Sequence, residues 1–306
     1  MNKLLSFAEV FKEAGRIFRL HLSKILIIVF LVMVPLGLLS GIAGEFLLDT
    51  NALQEFAEVA QNEESTYEEV YEAVYTAAPK VVPYLLLELL AGVLSLALPI
   101  AIARLTIDEG RHGALTLNYT DGDMYVVNTE PEEVREVGSA TSYFADGIKL
   151  LPRVALCVIC GGIIAFLGFM IMLLPGLLVA VVTGLSCYYV VLTGHYPLKG
   201  LLGSGLVALK RPLTLLLFLL GNGASLFTSY VLSFLLSLIP LPEAYASVFT
   251  VAFTVITVCV SSVVTAFTAI AVTCSMVNVL DRMGYRRNEN GFMEKEVQER
   301  KNPFEQ

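Results

Sequence analysis

Charge is scarce in this sequence. Asp, Glu, Lys and Arg make up 16% of the 306 residues, against roughly 25% in ordinary soluble domains. Hydrophobic residues reach 56% and the mean hydropathy is +0.72. A soluble chain of this length can bury a large core without such a surplus, so the excess calls for a second apolar solvent, and a bilayer supplies one. Histidine is nearly absent. His21, His112 and His195 fall on different elements, so no metal centre is expected from them. No basic stripe stands apart from the flanks of apolar runs, and with a net charge of -8 a nucleic-acid partner is excluded. The sequence also lacks a Ser-His-Asp grouping, a nucleophile elbow, a phosphate loop and a dinucleotide fingerprint. No catalytic residue and no cofactor is therefore expected. Gly200-x-x-Gly203-Ser204-Gly205 has neither the lysine nor the strand of a phosphate loop and reads as a close-packing segment. The five cysteines lie inside apolar runs, and Cys157-x-x-Cys160 has no second pair, so they read as small packing residues.

What is present is a set of six apolar runs, at about 25–44, 82–106, 153–174, 176–194, 212–239 and 247–280. Each meets the roughly 17–25 residues that a helix needs to cross a bilayer. The third and fourth are divided only by Leu174-Pro175-Gly176, a turn signal. The first begins too late, and lacks a small-residue cleavage site, to read as a signal peptide. It is expected to remain as the first span.

Lys and Arg are sorted along the chain. Lys3, Lys12, Arg16, Arg19 and Lys24 precede the first run, and Arg104, Arg111, Arg135, Lys149 and Arg153 lie between the second and third. Lys199, Lys210 and Arg211 lie between the fourth and fifth. Arg282, Arg286, Arg287, Lys295, Arg300 and Lys301 follow the sixth, which leaves Lys80 alone on the other side. The basic side is expected to be cytoplasmic, with both termini there, in a plasma membrane.

The pattern divides the chain into 1–24, an interfacial amphipathic helix; 25–106, a first hairpin with an acidic extracytoplasmic loop at 45–80; 107–152, a cytosolic insertion with a second interfacial helix; 153–280, four spans; and 281–306, a polar tail, helical in part or disordered. In the outer loop Thr66-x-x-Glu69 is a capping box, and Tyr67, Tyr71, Val74 and Tyr75 follow at helical spacing. One or two short helices resting on the outer surface are expected. The acidic cluster fits a solvated face or a cation site.

Three hairpins are each preceded by an amphipathic stretch ending in basic residues. The first, Ser6 to Lys24, aligns Leu4, Phe7, Ala8, Phe11, Phe18 and Leu22 and starts at the capping box Ser6-x-x-Glu9. The second, Tyr143 to Arg153, aligns Phe144, Ile148 and Leu151, and the third, Leu198 to Arg211, aligns Leu202, Leu206 and Leu209. Such helices lie in the membrane interface, and Lys12, Arg16, Arg19, Arg153, Lys210 and Arg211 are the expected anchors to anionic headgroups. Between 107 and 140, Leu115, Leu117, Tyr119, Asp121-Gly122, Tyr125 and Val127 alternate around a turn and read as a small cytosolic β-hairpin. The fold class is therefore all-α: a polytopic bundle of six transmembrane helices in three hairpins, with interfacial helices and that insertion.

Polar residues inside the spans are the candidate site. Glu88 lies about six residues, or roughly 9–10 Å, into the second run, where a carboxylate is costly. Tyr84, one turn earlier, is its nearest expected partner. Thr254, Thr257 and Ser261 belong to a hydroxyl arc on the sixth run, Ser225, Ser229, Ser233 and Ser237 are spaced one turn apart on the fifth, and Asn222 lies just before them. Two readings stay open: close helix packing through small and hydroxyl residues, or a polar cavity between spans five and six with Asn222 and Glu88 at it. Pro99 is expected to kink the second span.

Phe7-Ala8-Glu9-Val10-Phe11 leads to Ala14-Gly15-Arg16-Ile17-Phe18 and into the first run; Leu206-Val207-Ala208-Leu209-Lys210-Arg211 leads into the fifth; Pro175-Gly176 sits between the third and fourth. In these features the chain resembles the membrane-domain family named after glycerophosphoryl diester phosphodiesterases, six-span bacterial proteins. The resemblance implies the membrane part alone, since the acidic and histidine pairs of a metal-dependent phosphodiesterase are not seen. The expected role is non-enzymatic, lipid-facing, scaffolding or partner-binding, with membrane lipids and membrane proteins as partners. A small transporter or permease subunit is the alternative.

Overall fold

The computed structural model describes residues 5–48, 50–62, 66–111, 138–239, 246–287 and 292–295. Within them the chain is almost wholly helical, as expected. Helix α1 (Phe7–Leu20) opens at Ser6, whose hydroxyl accepts from the Glu9 N–H while the Glu9 carboxylate accepts from the Ser6 N–H. It ends at His21, outside helical geometry, and α2 (Leu22–Phe46) begins the first span. The remaining helices are α3 (Thr50–Gln61), α4 (Tyr67–Ser95), α5 (Ala97–Arg111), α6 (Ala140–Ile171), α7 (Leu173–Thr193), α8 (Pro197–Lys210), α9 (Pro212–Ser237) and α10 (Ala246–Arg282). Six stretches are long and apolar enough to cross a membrane: α2, α4 with α5, α6, α7, α9 and α10.

Several boundaries differ from expectation. Among the described residues of 45–80, one separate helix, α3, is present. The Thr66–Glu69 capping box does start a helix, but α4 runs on through Pro79 and Pro83 into the second span. That span breaks at Leu96, three residues before Pro99. A proline ring removes its own N–H and crowds the carbonyl four residues earlier, here Ser95, so the break falls one turn ahead. The Leu96 N–H turns to the Val93 carbonyl at 3.2 Å instead.

The second interfacial helix does not exist as a separate element. Residues 140–153 are the first turns of α6, which continues through Pro152. Its inward row of Tyr143, Gly147, Leu150, Val154, Cys157, Gly161 and Ala165 keeps one stripe from end to end, so a single straight face satisfies the whole length. The third of the expected interfacial stretches is a separate helix, α8. Arg211, preceding Pro212, is pushed out of the helical region to φ -143, ψ 86, which parts α8 from α9. Between spans three and four the turn comes at Met172, slightly before the expected Leu174-Pro175-Gly176, because Pro175 is accommodated in the first turn of α7.

The polar tail is also corrected. Tyr285–Arg287 (β1) pairs antiparallel with Met293–Lys295 (β2). Two aromatic anchors hold it. The Tyr285 hydroxyl lies 3.2 Å from that of Tyr189, and the Phe292 ring sits 4.3 Å under the Arg104 guanidinium. Phe292 also lies against Gly194, which closes α7 at φ 68; a Cβ there would approach its ring to 3.0 Å. The expected β-hairpin around Asp121-Gly122 lies outside the described residues.

Two compact units divide the chain. One comprises Met1–Ile28, Leu98–Gly223 and Thr265–Gln306; the other comprises Val29–Ala97 and Ala224–Val264. In the first, α7 packs on α6 and α8 and is buried nearly all round over its last turns. Outward faces are apolar, as at Ile163, Phe166 and Ile171 of α6 and Leu202, Leu206 and Leu209 of α8. On α1 the buried stripe is Val10, Ala14 and Ile17, while Phe7 and Phe11 of the expected apolar face are exposed. Exposed leucine and phenylalanine of this density are stable against lipid tails and not against water.

Candidate functional site

In the unit containing Val29–Ala97, the last turns of membrane-embedded α2 carry a row of small residues, Gly37, Ser40, Gly41 and Gly44, all buried or half-buried. Ser40 Oγ donates to Glu88 Oε1 at 2.5 Å. Tyr84, one turn before Glu88 on α4, interacts with the same carboxylate. A Cβ on Gly44 would stand 4.0 Å from the Tyr84 ring, so the two helices meet closely here. Glu88 is half-buried. Its partner on the neighbouring helix is a hydroxyl, which neither matches nor neutralises a full charge.

The other expected polar residues are satisfied locally. Thr254 Oγ1 donates to the Thr250 carbonyl at 2.9 Å, and Ser261 Oγ to the Val258 carbonyl at 3.2 Å. Ser225 Oγ of α9 donates to the Ser261 carbonyl at 3.0 Å, an interhelical bond of the packing type. Thr257 is half-buried on the same helix. A Cβ on Gly37 or Gly41 would come 3.2 Å from the backbone of Val255 or Val251, so α2 and α10 touch through glycine. Asn222 belongs to the other unit, where its Nδ2 donates to the Phe218 carbonyl at 2.8 Å.

That other unit holds a cluster of titratable groups in which Glu109 and His21 are buried, Glu13 is half-buried and Arg16 is exposed. Arg16 pairs with Glu13 at 2.8 Å and with Glu109 at 3.4 Å, and the second Glu109 oxygen lies 2.8 Å from His21 Nε2. The Glu13 hydrogen bond, outweighing partial burial, holds the Arg16 guanidinium above its ordinary pKa, with the Glu109 charge adding to it. Of the expected anchors, Lys12, Arg19, Arg153 and Lys210 are exposed, as a headgroup contact requires. Arg211 is not: it is 4% exposed. Its Nη1 donates to Asn278 Oδ1 at 2.9 Å, its Nη2 donates to the Leu5 carbonyl, and the Leu5 N–H donates back to Asn278 Oδ1 at 3.2 Å. Burial, and then the charge of Arg282, push its pKa down. The residue before Pro212 cannot stay helical, and the resulting bend turns this side chain inward rather than to the interface.

Sequence reading did not single out Ser40, Glu109 or Asn278. Ser40 stood in a readable row of small residues. Asn278 and Glu109 had no signal beyond being polar near the ends of apolar runs. No family model, curated protein or solved structure matches this chain.

Proposed function

We propose that this multi-pass protein is a non-enzymatic scaffold or partner-binding component of a plasma membrane, with both termini cytoplasmic. One observation carries the reading. Asn222, Thr254 and Ser261 each donate to a carbonyl three or four residues earlier on their own helix. Hydroxyls and amides so engaged give helix packing and offer little to a solute. The exposed apolar faces of α6 and α8 support lipid contact, and the nearly exclusive placement of Lys and Arg on one side supports the orientation.

Glu88 favours a second reading, a small transporter or permease subunit, because a carboxylate held by Ser40 in an apolar helix is a proton- or ion-responsive group by default. Proteoliposomes separate the two. With Glu88→Gln and Asn222→Leu, the scaffold reading expects normal expression and fold and no proton- or ion-dependent flux to lose. A flux present in the native protein and abolished in either variant overturns it in favour of transport.

A further inference from the structure

The first turns of α4 project an unusual surface. Tyr67, Tyr71 and Tyr75 are 97%, 73% and 75% exposed. At 100° per residue they share an arc of about 80°, and Glu68 and Glu72 occupy the next 40° or so. Both glutamates are exposed, while Val70, Ala73 and Ala77 of the same helix turn inward. Three aromatic bodies therefore stand in a ladder with a row of carboxylates along one edge.

This ladder lies ahead of the lipid. The apolar run of α4 begins near Val81, so the 14 residues from Tyr67 to Lys80 add about 21 Å of helix before it. Tyrosine at a bilayer interface sits at headgroup depth, within one or two turns of the hydrocarbon, and only Tyr75 meets that condition. A second copy of this chain would bring the same glutamates against them. The charge and the rings fit one chemistry together. Guanidinium and ammonium groups stack on tyrosine faces within about 6 Å of the ring, and carboxylates accept from them at the rim. The spacing matches too. The four-residue step between successive tyrosines rises about 6 Å, and alternate residues of an extended segment are about 6.6 Å apart. Cationic side chains at every second position would meet successive rings.

We propose that Tyr67, Tyr71 and Tyr75, edged by Glu68 and Glu72, form a docking face for an extended, arginine-rich segment of a partner protein. This rests on the partner-binding reading above, but its test is independent of the flux assay: failure here leaves the flux result where it stands. The full chain is held in nanodiscs of uncharged phosphatidylcholine and titrated with labelled nona-arginine and nona-lysine peptides. Saturable binding is expected, with arginine preferred. Replacing all three tyrosines by leucine keeps charge and apolar area and is expected to weaken nona-arginine binding about tenfold or more; Glu68→Gln with Glu72→Gln is expected to weaken it as well. Unchanged binding by the triple leucine variant overturns the proposal, since bulk acidity would then account for it. The chain has no tryptophan, so Tyr71→Trp gives a single indole reporter. Its emission is expected to change on adding nona-arginine. Quenching by brominated lipid would show the face seated in the membrane, and a change with chain concentration would show self-association; either result overturns the proposal.

Discussion

Arg211 and Asn278 are 67 residues apart, and the arginine Nη1 lies 2.9 Å from the asparagine Oδ1. The same oxygen receives the Leu5 N–H at 3.2 Å, so one amide ties the segment before α1 to the α8–α9 corner and to α10. A buried guanidinium without partners is expensive, and a hydrogen bond to a charged group contributes about 1.5–3 kcal/mol. Asn278→Leu is expected to destabilise the protein by about that amount, seen as a lower melting temperature in detergent. Asn278→Asp keeps the acceptor and adds an opposing charge, and is expected to melt no lower than the native chain. Arg211→Lys is expected to behave like Asn278→Leu, because an ammonium cannot fork to both Asn278 and Leu5. Equal melting of Asn278→Leu and native protein would refute the account.

Neighbouring glycines on α6 give a matched pair. A Cβ on Gly161 would fall on the side chain of Thr183, whereas one on Gly162 meets nothing within 4 Å. Thr183 is β-branched and its hydroxyl already donates to the Val179 carbonyl at 2.8 Å, so it has little freedom to give way. Gly161→Ala is expected to cost about 1–3 kcal/mol through overpacking. Gly162→Ala is expected to be neutral or stabilising, by up to about 1 kcal/mol, since alanine favours helix. Thermal unfolding of the two variants side by side checks this, and similar melting would remove the packing argument for α6 against α7.

The contrast between these residues explains what was readable in advance. Span number, the α1 and α4 capping boxes and the α6–α7 turn are local features, set by run length or by a few consecutive residues. Whether an amphipathic stretch becomes its own helix is not local. Residues 143–153 and 198–211 have similar periodicity, yet α6 passes straight through Pro152 while α8 stops before Pro212. The difference is whether the inward stripe continues beyond the proline, which depends on what packs against it. The polar candidates divide the same way. Glu88 stood out because an ionisable residue in an apolar run is conspicuous. Its partner Ser40, and the Asn278 partner of Arg211, come from distant segments with no periodicity connecting them. The tail strands were missed because polar composition hid the two anchors, Tyr285 and Phe292.

The Ser40–Glu88 contact is measurable as a coupling. Hydroxyl bonds between membrane helices average about 0.6 kcal/mol and reach about 1.7. A double-mutant cycle of Ser40→Ala and Glu88→Gln, read by unfolding in detergent, is expected to give a coupling of about 0.5–2 kcal/mol. Ser40→Ala alone should destabilise more than Ser95→Ala, whose hydroxyl donates only to the Gly92 carbonyl of its own helix at 2.7 Å. A coupling of zero would mean that Glu88 is oriented by Tyr84 and the helix alone.

Orientation follows from the cost of moving cations across a bilayer during insertion. Lys80 is the one Lys or Arg that the six-span order places opposite the rest, so inverting the chain would translocate nearly every basic residue. Glu58 is exposed on α3, on the acidic side, and Lys210 is exposed at the end of α8, on the basic side. The five native cysteines are buried or half-buried, which gives a low background for labelling. In intact cells a membrane-impermeant maleimide is expected to label Glu58→Cys and to reach Lys210→Cys only after lysis. The test also checks the span count, because an odd number of crossings between the two positions is needed for opposite access. Equal labelling from outside would require one, or all, of the three apolar stretches between these positions (α4 with α5, α6 and α7) to lie out of the membrane. Failure of the α6–α7 hairpin to cross would leave this result unchanged, since removing two of three crossings preserves the parity, so a third position at the Met172 turn tests that hairpin: Met172→Cys is expected to label from outside, alongside Glu58→Cys.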